Sequence, residues 1–170
     1  MNKKKVYLDT SVISHLKDET APHLMAETLL LWDILSNSND YIVYISEIVM
    51  EELLKCSESK VNYIVDMLEK IDYVLLESTE EVLQLQEIYF KNNILKEKDK
   101  SDLLHISYAV VNNIDCIVSW NFKHFVNLKT TKLVNSTNIM LNYITVNIIT
   151  PQMITGGVED ERIWFNERIT

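Results

Sequence analysis

A chain of 170 residues that is 47% hydrophobic and 24% charged, with only 2 Gly and 2 Pro, has the make-up of one globular domain rather than a disordered tract. A formal net charge of -9 argues against a protein that grips nucleic acid through a broad basic surface. It leaves room for an enzyme whose clustered carboxylates are neutralised by a bound cation.

Val6 to Asp9 reads as a first strand ending on an acid, and Thr10 to Lys17 as a short helix. Ala21 to Ser36 carries Leu24, Leu31 and Leu35 with Met25, Thr28 and Trp32 near helical spacing, and the loop signal Ser36 to Asp40 ends it. Tyr41 to Ile45 is a second strand by its β-branched and aromatic content. Ser46 then stands at an N-cap position before a helix that sets Glu52 beside the apolar positions Ile48, Val49 and Leu53.

Val61 to Ile71 is expected to be helical, Tyr73 to Leu76 a strand, and Ser78-Thr79-Glu80-Glu81 a capping signal for the helix Val82 to Asn92. The charged run Lys96 to Lys100 reads as a solvated loop, and Ser101-Asp102 opens the helix Leu103 to Asn112. Asp115 to Ser119 is a buried-strand candidate running into Trp120-Asn121, Leu133 to Asn142 a helix, and Tyr143 to Thr150 a last strand stopped by Pro151.

No stretch approaches the length of a bilayer span, and no charged amino-terminal segment leads into a long apolar run with a small-residue cleavage site. No membrane partner and a cytoplasmic location are therefore expected. Cys56 and Cys116 lie far apart and outside any Cys-x-x-Cys spacing, as free thiols would.

Strands separated by helices imply a three-layer α/β/α fold with a central, mostly parallel sheet. Its carboxyl edge would gather Asp9, Glu52, Asp102 and Asn121, where open α/β sheets bind ligands. Carboxylates brought together repel, and a hard divalent cation resolves the repulsion. Oxygen ligands without paired His or Cys favour Mg²⁺ or Mn²⁺. A metal there can activate water and stabilise charge on a phosphodiester, so phosphodiester hydrolysis is the expected reaction class.

Each residue also has a structural use. Asp9 is placed to cap the following helix, and Asp102 to meet a helix dipole. Glu47, Glu51 and Glu58 read as solvated helix faces, and Asp99 and Asp115 as loop or strand-entry acids. Trp120 follows an apolar strand and is expected to pack, with base stacking as its alternative.

Four stretches resemble the motifs of the PIN-domain family of metal-dependent ribonucleases, which includes the VapC-like toxins. They are Val6 to Ser14, Ile45 to Leu53, Asp102 to Ala109 and Ile117 to Phe125. The resemblance runs from about Val6 to about Pro151, which implies a PIN-like domain over 1–151 and leaves 152–170 as a C-terminal tail of unassigned structure. It selects Glu52 over Glu51 and implies Asp9, Glu52 and Asp102 as metal ligands for Mg²⁺ or Mn²⁺. Asn121 stands where the family has a fourth acid, offering an amide and no negative charge.

Ser11 and Ser119 would orient the ligands, or make ordinary turn bonds. His124 and Lys123 are candidate substrate contacts. Lys96, Lys98, Lys100, Lys129 and Lys132 flank the third and fourth motifs as further phosphate contacts. The resemblance implies an endoribonuclease acting on single-stranded or structured RNA, possessed of an antitoxin partner and homodimeric if it is the toxin of a type II module. Asn121 and the acidic balance motivate a second reading, a catalytically degenerate PIN domain that binds RNA or protein. A phosphotransferase with Asp9 as nucleophile ranks last, because Ser11 stands where such enzymes want a second acid.

Overall fold

A computed structural model describes residues 3–156. The elements run β1 (Lys4–Leu8), α1 (Thr10–Ser14), a 3₁₀ turn (His15–Lys17), α2 (Pro22–Asn37), β2 (Tyr41–Ser46), α3 (Glu47–Leu53), α4 (Glu58–Leu68) and β3 (Tyr73–Leu76). They continue through α5 (Glu80–Lys91), a second 3₁₀ turn (Glu97–Asp99), α6 (Lys100–Val111), β4 (Cys116–Val118), α7 (Leu128–Met140), β5 (Asn147–Ile149) and α8 (Gln152–Thr155).

The five strands form one sheet in the order β3-β2-β1-β4-β5, and every neighbouring pair is parallel. The expected mostly parallel sheet is thus wholly parallel. Crossover helices flank it, which buries the middle strands on both faces and explains their unbroken apolar runs. Val6, Tyr7 and Leu8 of β1 and Ile117 and Val118 of β4 are fully enclosed.

The chain builds outward from β1 to β2 and β3, then returns to the other side of β1 for β4 and β5. The order therefore reverses between β1 and β4, and the carboxyl ends of those strands open a crevice there. The Asp9 amide donates to the Val118 carbonyl at 3.2 Å, which carries the β1 to β4 ladder to the edge of that crevice.

With only 2 Gly in the sequence, helix termination falls to asparagine. Asn93, Asn113 and Asn142 follow α5, α6 and α7 with φ of 53°, 52° and 60°. Asparagine tolerates this left-handed region better than other side-chain-bearing residues.

The expected last strand shortens to Asn147–Ile149. Side chains of α7 take the backbone groups that precede it: Asn138 Nδ2 donates to the Ile144 carbonyl at 3.0 Å. Asn135 exchanges bonds of 2.9 and 3.0 Å with the Val146 amide and carbonyl. α7 starts five residues before the expected Leu133, because Asn127 caps it by accepting from the Thr130 amide at 2.9 Å.

The run Lys96 to Lys100, expected as solvated loop, holds the second 3₁₀ turn and the first residue of α6. Lys100 pairs with Glu87 and lies 4.9 Å over the Phe90 ring. α8 packs on α2, with Thr155 Oγ1 donating to Glu27 at 3.0 Å. The remainder of the expected tail lies outside the described residues. Among the described residues, no helix is long and apolar enough to cross a membrane.

Candidate active site

Asp9 lies just past β1 with 4% of its surface exposed. Its Oδ1 accepts from the Ser11 amide at 2.6 Å, the Ser11 hydroxyl at 2.5 Å and the Val12 amide at 3.2 Å, so it does cap α1. Its Oδ2 accepts from the Ser119 hydroxyl at 2.6 Å, across the gap to β4. Capping thus occupies one carboxylate oxygen, and the Ser119 hydroxyl beyond β4 takes the other.

The two serines, Ser11 in α1 and Ser119 directly after β4, form one lattice with the backbone. Ser11 Oγ accepts from the Trp120 amide at 2.8 Å, and Ser119 Oγ accepts from the Asn121 amide at 2.9 Å. Each hydroxyl therefore donates to Asp9 and accepts from the loop after β4, fixing the acid and the loop together.

Asn121 carries the lattice to Asp102. Its Oδ1 accepts from the His124 amide at 3.0 Å, and its Nδ2 points at Asp102 Oδ2 at 3.4 Å. The backbone donor settles which way the amide lies, because only an oxygen can accept there. The amide therefore steers Asp102.

Asp102 lies in the first turn of α6. Burial, with the negative charges of Asp9 and Asp99, holds its carboxyl above the ordinary carboxylate range against the opposing pull of His105 and His124. Asp99, three residues earlier, and His124, three residues after Asn121, complete a cluster. One ligand atom from each of Asp99, Asp102 and His124 lies within 4.8 Å of the others. Asp99 Oδ1 and His124 Nε2 are 3.5 Å apart.

Glu52 stands near the end of α3 and reaches back toward β1. Its Oε2 accepts from Thr10 Oγ1 and from His105 Nε2, the latter at 3.2 Å. Burial raises its carboxyl, but the bond and charge of His105, with Thr10 and Lys55, outweigh that and hold it below the ordinary range. Glu52 and Asp102 are thus pushed in opposite directions, and Glu52 is not among the acids whose ligand atoms gather around Asp102.

Behind Glu52 a buried chain of hydrogen bonds runs inward. His105 Nδ1 lies 2.7 Å from the Tyr7 hydroxyl, which lies 2.6 Å from Ser46 Oγ. Burial keeps the Tyr7 phenol neutral, well above its usual range. Ser46, expected as a helix cap, makes no side-chain capping bond and serves this chain instead.

Asp99, Thr10, Tyr7 and His105 are the participants the sequence reading passed over. Asp99 was hidden in a run of charges. His105 had one signal, a polar residue three positions after Asp102 set between the apolar Leu103, Leu104 and Ile106. Trp120 is buried, with its indole N–H donating to Thr28 Oγ1 at 2.8 Å. The exposed aromatic beside the site is Phe122, 53% accessible. Lys123 is exposed and lines a cleft together with His124 and Asp99. Cys116 is buried, which pushes its thiol up to about 12, and Cys56 is half-buried; neither forms a disulfide.

The donor set fits a hard divalent cation. Carboxylates predominate, a single imidazole is at hand, and the Asp102 charge is disfavoured until something positive offsets it.

No model of a known protein family matches the chain, and no curated protein does. Among solved structures, a chain of VapBC2 from Rickettsia felis bound to a DNA fragment from their promoter is similar to it. The TM-score is 0.51 and the identity 14%, over 86% of this chain and 98% of that one. The fold is PIN-like. At this identity the likeness carries the architecture, an all-parallel five-stranded sheet flanked by helices, and the chemistry rests on the side chains.

Proposed function

We propose that the chain is a Mg²⁺- or Mn²⁺-dependent endoribonuclease of the PIN type, with Asp9, Glu52 and Asp102 as its metal-holding acids. The observation that carries this reading is the Asp102 carboxylate. It is held partly buried and raised, aimed by Asn121, and grouped with Asp99 and His124 outside the carboxyl edge of the sheet. A structural helix-cap acid has no use for such company.

Bound there, a divalent cation supplies Lewis acidity that activates water and offsets charge developing on the phosphodiester. Asp9 faces the same crevice in a geometry locked by Ser11 and Ser119. Glu52 stays ionised at neutral pH through His105 and Thr10. Asn121 holds Asp102 in direction and contributes no charge, so Asp99 and His124 take the space of the fourth acid. Lys123 stands where it can meet the phosphate.

On the motif resemblance, the proposal extends to a toxin that pairs with an antitoxin protein and forms a homodimer. The second reading, a degenerate domain that binds RNA or protein without cutting, is favoured by one observation: Asn121 replaces an acid and spends its carbonyl on the His124 amide.

Calorimetry with Mn²⁺ and cleavage of an end-labelled RNA separate the two. The nuclease reading requires a saturable Mn²⁺ site and metal-dependent cutting, both lost in Asp102→Ala, with cutting lost in Asp9→Asn. Binding of RNA with no Mn²⁺ site and no cutting by the parent chain gives the degenerate reading instead.

A further inference from the structure

The two edges of the sheet are finished differently. At one, β5 begins on an exposed Asn147, Ile148 is half-buried and Ile149 buried, and the side chains of Asn135 and Asn138 take up the backbone groups that lead into it. At the other, β3 pairs with β2 alone, and among the described residues no backbone bond reaches its free side. A strand so placed keeps alternate amides and carbonyls open to a further strand.

The side chains of β3 are open as well. Tyr73, Val74 and Leu75 are between 36% and 48% exposed, and Leu76 is buried. Successive residues of a strand face opposite sides, so Tyr73 and Leu75 leave apolar surface on one face of the sheet and Val74 on the other. Charged residues or proline within the strand commonly guard such an edge. None of the four residues of β3 is of either kind.

The charges stand at its ends instead, and they are of one sign. Asp66, Glu69, Asp72, Glu77, Glu80 and Glu81 are all exposed, and Lys70 is the one base between residues 66 and 81. None of the six acids forms an ion pair among the described residues. A second copy of this chain is a poor occupant. Laid antiparallel about the middle of β3, it would set Asp72 of each copy against Glu77 of the other, and like charges opposed across strands destabilise the pair. An apolar strand with basic ends matches both the open edge and its acidic surround.

We infer that the β3 edge docks an extended, basic-flanked segment of another protein, which adds a sixth strand to the sheet. Backbone bonds to β3 hold the segment, its apolar side chains cover Tyr73, Val74 and Leu75, and its lysines or arginines meet Asp72 and Glu77. Glu47 prepares the end of the edge: its Oε2 accepts from the Ser78 amide at 2.7 Å, which fixes the chain where it leaves β3. β2 stands between this edge and β1, so docking here is independent of the crevice between β1 and β4 and of any chemistry in it.

The test uses the full chain and a fluorescein-labelled peptide with a Val-Thr-Val-Thr-Val core between two pairs of lysines, titrated by anisotropy. Saturable binding that weakens with salt is expected. N-methylation of every core amide removes the donors that a sixth strand needs and lowers affinity by about tenfold or more. Asp72→Asn with Glu77→Gln costs about threefold or more and flattens the salt dependence. Val74→Lys with Leu75→Lys abolishes binding. Mn²⁺ affinity is the same in all of these chains.

The docking site is overturned if the methylated peptide, or one with glutamates in place of its lysines, binds as well as the first. Failure of the lysine peptide to saturate at millimolar concentration overturns it too. A concentration-dependent dimer in sedimentation that dissociates in Val74→Lys with Leu75→Lys puts a second copy on the edge, and is equally fatal. None of these outcomes touches metal-dependent cutting, so the docking site and the nuclease reading fail separately.

Discussion

His105 Nε2 lies 3.2 Å from Glu52 Oε2, while its other ring nitrogen lies 2.7 Å from the Tyr7 hydroxyl. The imidazole is 3% exposed. A carboxylate only accepts, so Nε2 carries a proton and donates to Glu52. Tyr7 bonds on to Ser46, and each of these buried polar groups has a partner. Glu52 is therefore held from inside the core.

Removing that support has a defined cost. Tyr7→Phe strips the hydroxyl from between Ser46 and His105 and leaves two buried groups short of a partner. This costs about 1 to 3 kcal/mol. Urea denaturation measures it, and an unchanged midpoint shows that the chain is ornamental. His105→Ala is expected to cost at least as much and to lift the Glu52 carboxyl toward its ordinary range, which carboxylate NMR titration reads directly.

Asp102 and Glu52 set opposite pH dependences. The Asp102 carboxyl is raised in the folded state, so its contribution to stability is full below the unfolded carboxylate range and is lost as pH rises through the raised value. At pH 7 without metal the charge is a net cost. Asp102→Asn should stabilise the metal-free chain by under about 1 kcal/mol, since one pKa unit is worth about 1.4 and the group is partly exposed.

Glu52 is lowered, so its contribution is present above the unfolded range and is lost as pH falls through the depressed value. Glu52→Gln should destabilise at pH 7 and converge with the parent in acid. Thermal melts in EDTA at pH 7 and pH 3 decide both, and a destabilised Asp102→Asn at pH 7 removes the case for a strained acid.

The serine lattice predicts a loss of metal affinity with little loss of fold. Ser119→Ala deletes a donor to Asp9 and an acceptor for the Asn121 amide together. Groups that orient ligands in this way typically change affinity by about 10 to 100-fold. Mn²⁺ calorimetry on Ser119→Ala and Ser11→Ala tests it, and parental affinity in both confines the serines to turn bonding.

The sheet was legible because its signals are local and redundant: the apolar runs of β1, β2 and β4, broken by loop residues, admit few other arrangements. The last strand was overestimated because β-branched content cannot reveal that Asn135 and Asn138 of α7 claim the backbone of 144–146. Asp9 and Asp102 stood out as acids at element junctions, yet the same reasoning passed over Asp99, whose neighbours Lys98 and Lys100 made it look solvated. Nothing in linear order brings His124 to it. That meeting depends on the loop after β4 folding back through the Asn121 carbonyl and the His124 amide, which only the folded chain displays.

The two aromatics after β4 differ in kind. Trp120 is buried and bonded to Thr28, while the ring of Phe122, whose centroid lies 6.0 Å from that of Trp120, is half open to solvent. Trp120→Phe gives up the indole N–H and leaves the Thr28 hydroxyl short of a donor, so its effect falls on stability, by about 1 kcal/mol. Phe122→Ala removes little buried area and should melt like the parent. It takes away a stacking surface beside the crevice, and base stacking on an aromatic ring is worth about 1 to 3 kcal/mol per base. The expectation is a weaker strand affinity by about fivefold or more, with Mn²⁺ affinity intact. Anisotropy with a fluorescein-labelled single-stranded RNA in EDTA measures it. If Phe122→Ala binds the strand as the parent does, the RNA bypasses this side of the crevice and its bases must be read elsewhere.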